Sequence, residues 1–398
     1  MLLIFVLYFK KINNMGNDRL HNPFITSGYN GAKYFCDREK ETQQILSNIK
    51  NGNSTTLTAI RRIGKTGLIH HVIYKLPKSH KGVYIDILAT ENLAEFLNIL
   101  ATSIIQTIPP KSSIGEKFWG FLQTLRPTIT FDQLTGMPQA SFEISKKDTE
   151  LNINSILNYI DNLNFKTVIA IDEFQQILRY PEKNTDAWLR TIIQKLKNVV
   201  FIFSGSQQHI MEELFTSPSR PFYRSTQYLK IGKINSDKYA EFIVTKFKDY
   251  NKFIDIKTAH EILNWCNCHT YYVQQLCNRI FSATEKSVST ELWQQQANLL
   301  LQEQEPIFIN YRNLLTSLQW KLLKAIAKED QLYSPTSKHF IIKYKIGSSA
   351  SLIRALDSLR KYELVYREND INGKQYYSVY DIFLKQWING KEFMEHSS

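Results

Sequence analysis

Thr58-Ala-Ile-Arg-Arg-Ile-Gly-Lys-Thr-Gly-Leu68 decides the reading of this 398-residue chain. The residues before it, Ser54 to Ile60, alternate polar and apolar with β-branched types, and Leu68 to Leu76 after it are apolar at helical spacing. The stretch therefore reads as strand, loop and helix, the context in which a turn ending in Gly64-Lys65-Thr66 holds nucleotide phosphates. Amides near Ile63 to Thr66 would face a β-phosphate, and the helix N-terminus adds partial positive charge. Lys65 would reach the β- and γ-phosphates, and the Thr66 hydroxyl would take one Mg²⁺ position. Arg62, Ile63, Gly64, Lys65, Thr66 and Gly67 are the expected ATP-binding segment. Ala59 stands where the pattern G-x-x-x-x-G-K-[ST] has its first glycine.

The second half of such a site lies downstream, in Lys166-Thr-Val-Ile-Ala-Ile-Asp-Glu-Phe174. Four consecutive apolar residues, Val168 to Ile171, read as a central parallel strand covered on both faces. Adjacent carboxylates at its carboxyl end would leave the sheet beside the phosphate loop, where α/β proteins bind ligands. Asp172 is the expected Mg²⁺ ligand and Glu173 the expected general base. A solvated acidic turn is the bland alternative, and the upstream loop argues against it.

A further apolar strand, Val199-Val-Phe-Ile-Phe203, runs into Ser204-Gly-Ser206. Ser206 is placed to orient the lytic water or sense the γ-phosphate, while Gly205 fits a plain turn equally well. Ser217-Pro-Ser-Arg-Pro-Phe-Tyr-Arg224 follows, then a strand-like run from Gln227 to Ile231. Arg224 is a candidate to stabilise γ-phosphoryl charge, in cis or from a neighbouring subunit.

Taken in order, Phe35-Cys-Asp-Arg-Glu-Lys-Glu41, Arg61-Arg-Ile-Gly-Lys-Thr66, Ile171-Asp-Glu-Phe174, Ser204-Gly-Ser206 and Pro221-Phe-Tyr-Arg224 resemble the archaeal-type ATPases of the AAA+/STAND group. The resemblance runs from about Tyr29 to Trp387. It implies an α/β P-loop core with a parallel sheet, a helical lid and a C-terminal winged helix, and it adds Arg38 to the nucleotide-binding set. It also implies ATP hydrolysis, with a non-hydrolysing nucleotide-locked scaffold or switch as the alternative, and leaves open whether the ring or dimer of related ATPases forms. Asp37 replaces the first-motif glycine, Gly67 the serine after Thr66, and the glycine before Arg224 is missing. His269-Thr-Tyr-Tyr-Val-Gln-Gln-Leu-Cys277 resembles the start of a lid helix in the same family.

Toward the C-terminus, Leu314 to Trp320 opens an amphipathic helix. Ser337 to Tyr344 and Ser348 to Tyr362 have the spacing of a helix-turn-helix, and two alternating strands then flank Asn372-Gly373 as a wing. Tyr380-Asp-Ile-Phe-Leu-Lys-Gln-Trp387 resembles the end of the family's winged helix. From Thr316 to Ser398 there are 13 Lys and Arg against 9 Asp and Glu, a mild excess of +4. Duplex DNA through Arg354, Arg360, Lys361, Arg367 and Lys374 is one expected partner, and a protein-docking or autoinhibitory role is the other.

Composition fits several cores in one chain: 43% hydrophobic residues over this length exceed what a single core organises. The net charge of +12 permits a polyanion without demanding one, because the lysines are dispersed. The expected division is a leader at 1–26, a nucleotide-binding core at 27–235, a helical lid at 236–312 and a winged-helix domain at 313–398. Met1 to Phe9 is too short an apolar run to span a bilayer and lacks a signal-peptide pattern, which predicts a cytoplasmic protein without stable membrane insertion. Cys266, Cys268, Cys277 and His269 cluster locally, but their spacing fits no common zinc pattern, so reduced thiols are expected. Pro109 to Gly136 reads as a surface insertion, and Thr258-Ala-His-Glu261 as a capping box opening a lid helix.

Overall fold

The computed structural model describes residues 19–108, 113–143, 145–370 and 372–395. These divide into two compact units, one spanning Ser27–Gly232 and the other Asn22–Thr26 with Lys233 onward.

In the first unit, helix α1 (Glu39–Lys50) leads to β1 (Thr55–Thr58), the phosphate-loop candidate and α2 (Lys65–Tyr74). Then come β2 (His80–Asp86), α3 (Leu93–Thr107), α4 (Ser113–Thr124), the hairpin β3 (Thr128–Phe131) and β4 (Pro138–Ser141), and α5 (Lys146–Asp161). β5 (Lys166–Asp172), a 3-10 turn at Phe174–Arg179, α6 (Thr185–Ile193), β6 (Val199–Gly205), α7 (Gln208–Thr216) and β7 (Gln227–Lys230) complete it. Five strands form one parallel sheet in the order β2-β5-β6-β1-β7. Because β5 and β6 are covered by helices on both sides, all seven residues of β6 are buried, as its unbroken apolar run requires.

Register decides what meets at the carboxyl edge. Asp86 lies opposite Asp172, Ile171 opposite Phe203, and Thr58 opposite both Gly205 and Lys230. The ends of β1, β5 and β6 are therefore level, and the loops that leave them share one rim. The core behind that rim is aromatic: Phe174 lies 4.5 Å from Phe203, 5.8 Å from Phe215 and 5.3 Å from Phe222. Burying one such ring stabilises by about 1.5–3 kcal/mol, which fixes the turn just after the carboxylates.

Over its described residues the segment expected as a surface insertion is so only in part: Arg126 to Gly136 is largely exposed, whereas the helix before it is built in. Phe118 and Leu122 of α4 are fully buried, and the hairpin is tied to α3 by Thr102 and Ala140, with Gln106 donating to the Pro138 carbonyl at 3.1 Å. Its Pro, Ser and Gly punctuate a real helix and hairpin; only periodicity over longer windows separates these from a loop.

In the second unit, α8 (Ser236–Asp249), α9 (Ile256–Trp265), α10 (Thr270–Ala283) and the long α11 (Thr290–Leu314) are followed by α12 (Ser317–Glu329), α13 (Lys338–Tyr344) and α14 (Ser349–Lys361). The antiparallel pair β8 (Val365–Asn369) and β9 (Gln375–Val379) and helix α15 (Ile382–Glu395) close the chain. α13, α14 and the hairpin make the winged helix, with Gly373 at φ 77° in the wing turn. Two helix starts differ from expectation. Asp255, whose side chain accepts from the Thr258 amide at 2.9 Å, caps α9, so Thr258 lies inside the first turn. α12 begins at Ser317 under a capping box of Thr316 and Gln319, not at Leu314, which still belongs to α11.

The expected leader at 1–26 falls mostly outside the described residues. Its last part is structured, however: Phe24 is buried 5.4 Å from Phe247 and 6.0 Å from Phe281, and Asn278 donates to the Phe24 carbonyl at 2.7 Å. A single aromatic in a polar stretch gave no periodicity from which to foresee this. Among the described residues no helix is long and apolar enough to cross a membrane.

Candidate functional site

The phosphate-loop candidate turns on left-handed residues. Arg62 has φ 59° and Gly64 φ 102°, and Gly64 caps α2, whose first bond runs from the Leu68 amide to the Gly64 carbonyl at 3.0 Å. Left-handed residues ahead of a helix N-terminus form the backbone concavity that binds anions. Ala59 keeps a negative φ and is wholly buried, so the position of the missing first glycine needs no glycine here. A Cβ on Gly67 would meet Phe35 at an ordinary 3.5 Å, so that glycine is likewise not forced by space.

Lys65 opens the helix with 6% of its surface exposed, its Nζ 3.4 Å from the Ile60 carbonyl and 3.5 Å from that of Ala59. Burial holds its ammonium below the ordinary lysine pKa, and the nearby charges of Asp172 and Glu173 oppose the shift. A desolvated cation folded over a phosphate-sized turn is a strong electrostatic partner for an anion.

β5 delivers the carboxylates. Asp172 is buried, and its Oδ2 accepts the Thr66 hydroxyl at 2.7 Å and the Tyr84 hydroxyl at 3.1 Å. The structure thus joins Thr66 and Asp172 directly. Both are hard oxygen donors, and no salt bridge occupies Asp172 among the described residues, so the pair suits Mg²⁺. Tyr84 went unnoticed in the sequence because only the pairing of β2 with β5 brings it to the carboxylate. Burial first, then the charge of Asp172, hold its phenol well above the ordinary value, so it remains a donor. Asp86, opposite Asp172, is also held above the usual carboxylate range, chiefly by burial and further by Asp172 and Glu173.

Glu173 takes a left-handed conformation, φ 57° and ψ 37°, at the junction of β5 and the 3-10 turn. Its Oε2 accepts the Ser206 hydroxyl at 2.7 Å, the Ser206 amide at 3.3 Å and the Gln175 side-chain amide at 2.5 Å. Ser206 therefore acts on the carboxylate, a contact that its place at the end of a neighbouring strand did not specify. Ser204, the other serine of the pair, is fully buried within β6.

Arg38 and Arg224, the arginines of the set outside the loop, behave differently. Arg38 is buried with φ 75° at the start of α1; it donates to the Gly232 carbonyl at 2.7 Å and the Ile63 carbonyl at 3.4 Å, and pairs with Glu41 at 3.0 Å. It braces the phosphate loop against the chain leaving β7. Asp37, where the family resemblance has glycine, adopts the left-handed φ of 55° that Asp tolerates better than most residues. Arg224 is exposed at φ 50°, its guanidinium 5.2 Å from the Tyr223 ring, and no hydrogen bond or ion pair joins it to Asp172 or Glu173. Arg220 is committed to Glu213. Cys266 and Cys277 are fully buried in the second unit, and burial pushes both thiols up.

Comparison with known proteins agrees with this geometry. The Walker-type ATPase of Pyrococcus abyssi superposes with a TM-score of 0.63 at 16% identity, covering 92% of this chain and 99% of that one. The ORC2 protein of Aeropyrum pernix, in ADPNP and ADP complexes, gives 0.54 at 11% identity over 97% and 98% of the two chains. Identities this low carry the fold and nothing finer. No curated protein matches by sequence. A winged-helix-domain profile matches residues 306–390. A second profile, described as an ATPase domain predominantly from Archaea, matches residues 35–276, more than half of the sequence, and spans every residue of the site; the chain belongs to that ATPase family and carries a C-terminal winged helix.

Proposed function

We propose that the protein is a Mg²⁺-dependent ATP hydrolase whose nucleotide state repositions its winged-helix domain. The observation that carries this reading is the conjunction at one sheet edge: Thr66 bonded to Asp172 at 2.7 Å, with Glu173 next in sequence and Lys65 buried at the head of α2. In this reading Lys65 and the loop amides bind the β- and γ-phosphates, Thr66 and Asp172 hold Mg²⁺, and Glu173 takes a proton from the attacking water. Mg²⁺, when bound, neutralises charge on the phosphate oxygens. Ser206 holds Glu173 in place, and Arg38 keeps the loop fixed. Arg224, exposed and without a carboxylate partner, is suited to a neighbouring subunit's nucleotide in a homo-oligomer.

For the winged helix the reading is duplex DNA. Arg354 and Lys361 on α14 and Arg367 on β8 are exposed and have no acidic partner among the described residues, as phosphate contacts require. Arg360 contributes less, since it lies 3.6 Å from Asp357.

The test is direct: ATP affinity and phosphate release for the wild type and Lys65→Ala. The wild type should bind ATP and release phosphate, and Lys65→Ala should weaken binding at least tenfold, about 1.4 kcal/mol. Unchanged affinity in a folded Lys65→Ala protein removes the phosphate-loop assignment. Tight binding without phosphate release replaces the hydrolase with a nucleotide-locked switch.

A further inference from the structure

Gln175 is a buried amide with a bond at one end only. It follows Glu173 by two residues, is 5% exposed, and donates through Nε2 to Glu173 Oε2 at 2.5 Å. Its own Oε1 is buried and has no partner among the described residues. That oxygen packs against Gly205, where an added Cβ would lie 2.2 Å away, so Gly205 is what makes room for the side chain. Leaving a buried carbonyl unpaired costs about 1–3 kcal/mol, and an unbranched apolar side chain of the same length would avoid it. Packing alone therefore gives no reason for an amide here. The amide is explained by what its other end does.

That end completes a one-sided clamp. Ser206 Oγ, Ser206 N and Gln175 Nε2 all donate to the same oxygen of Glu173, and among the described residues no donor reaches Oε1. We infer that Gln175 is a positioning residue for ATP hydrolysis: with Ser206 it pins Oε2 of Glu173 and presents Oε1 as the oxygen that receives the proton of the attacking water. The inference rests on the reading of Glu173 as general base. Glu173 sits in a left-handed turn between a strand and a 3-10 helix, and a base held in one orientation is what the attack of water requires.

The experiment uses the full chain and four proteins: wild type, Gln175→Met, Glu173→Gln and the double variant, with Gln175→Leu as a second apolar replacement. Steady-state turnover, ATP affinity and thermal midpoint are measured for each. Gln175→Met should lose about tenfold in kcat, keep its ATP affinity within twofold, and melt no lower than the wild type. Added to Glu173→Gln, it should cost nothing further, because a residue that acts through the base has nothing left to act on. Wild-type kcat in Gln175→Met and Gln175→Leu overturns the inference. So does a loss that multiplies with that of Glu173→Gln, or a rate that falls only in step with thermal stability, since both assign Gln175 to packing. If instead Glu173→Gln itself turns over normally, the base assignment fails and takes the inference with it, an outcome distinct from the others.

Discussion

The sheet edge of the first unit and the exposed face of the winged helix both carry charge, but they keep it in opposite ways. At the edge, Lys65, Asp172 and Arg38 are buried, and the key side chains are cross-bonded: Thr66 and Tyr84 to Asp172, Ser206 and Gln175 to Glu173, Arg38 to two loop carbonyls. On the winged helix, Arg354, Lys361 and Arg367 stand in solvent without acidic partners among the described residues. A buried, cross-bonded group is fixed before any ligand arrives, so its contribution is geometric and its loss is expensive. Solvated cations contribute attraction that salt screens and that is shared among many side chains. In the proposed reading, chemistry belongs to the first arrangement and tunable adhesion to the second.

The sharpest way to break this contrast is Glu173→Gln. It keeps the shape of the site, so ATP should still bind, while turnover falls by about 10² or more. A single-turnover assay at saturating ATP decides it, and wild-type hydrolysis would show that the committed bonds at Glu173 do not serve a base. Arg224 tests the boundary between the two arrangements, because it sits in the ATPase unit yet is exposed like the winged-helix cations. Arg224→Ala should bind ATP normally and hydrolyse it about tenfold more slowly. Mixing it with Glu173→Gln should restore part of the rate if the arginine reaches a neighbour's nucleotide. No recovery on mixing confines Arg224 to its own subunit, and an unaltered rate removes it from the chemistry. The smallest effect belongs to the winged helix. Arg354→Glu should weaken duplex binding several-fold and lower the slope of log affinity against log salt by about one, measured by fluorescence anisotropy across salt concentrations. Unchanged DNA affinity, or none in the wild type, would leave that surface to a protein partner.

How much of this was legible in the sequence differs between neighbouring residues. The loop, α2 and the strand ending in Asp172-Glu173 follow from local patterning, because a phosphate turn and a doubly covered strand each leave a signature within about ten residues. The wing hairpin was legible for the same reason, through Asn372-Gly373 between two alternating runs. Gln175 and Tyr84 were not. Each matters through one bond to a carboxylate, and nothing in the residues beside them marks which face of a turn or strand they occupy. Arg38 carried a signal, but only as part of a resembling motif, and its use as a brace between Ile63 and Gly232 depends on where β7 lies.

The sequence by itself determined that a parallel-sheet ATPase core precedes a winged helix, and which lysine, hydroxyl and carboxylates gather at the carboxyl edge of the sheet, since these follow from short-range periodicity and turn chemistry. The tertiary structure alone decided the strand order that levels Thr58, Asp172 and Gly205, the placement of Tyr84 on Asp172, and the clamp of Ser206 and Gln175 on Glu173. It also decided that Phe24 belongs to the core of the second unit and that, among the described residues, the Arg224 guanidinium lies over the Tyr223 ring with no hydrogen bond to the carboxylate pair. The physical reason is the range of the interactions: propensity and amphipathicity act along the chain, whereas a hydrogen bond between residues a hundred apart exists only after the sheet has set their register.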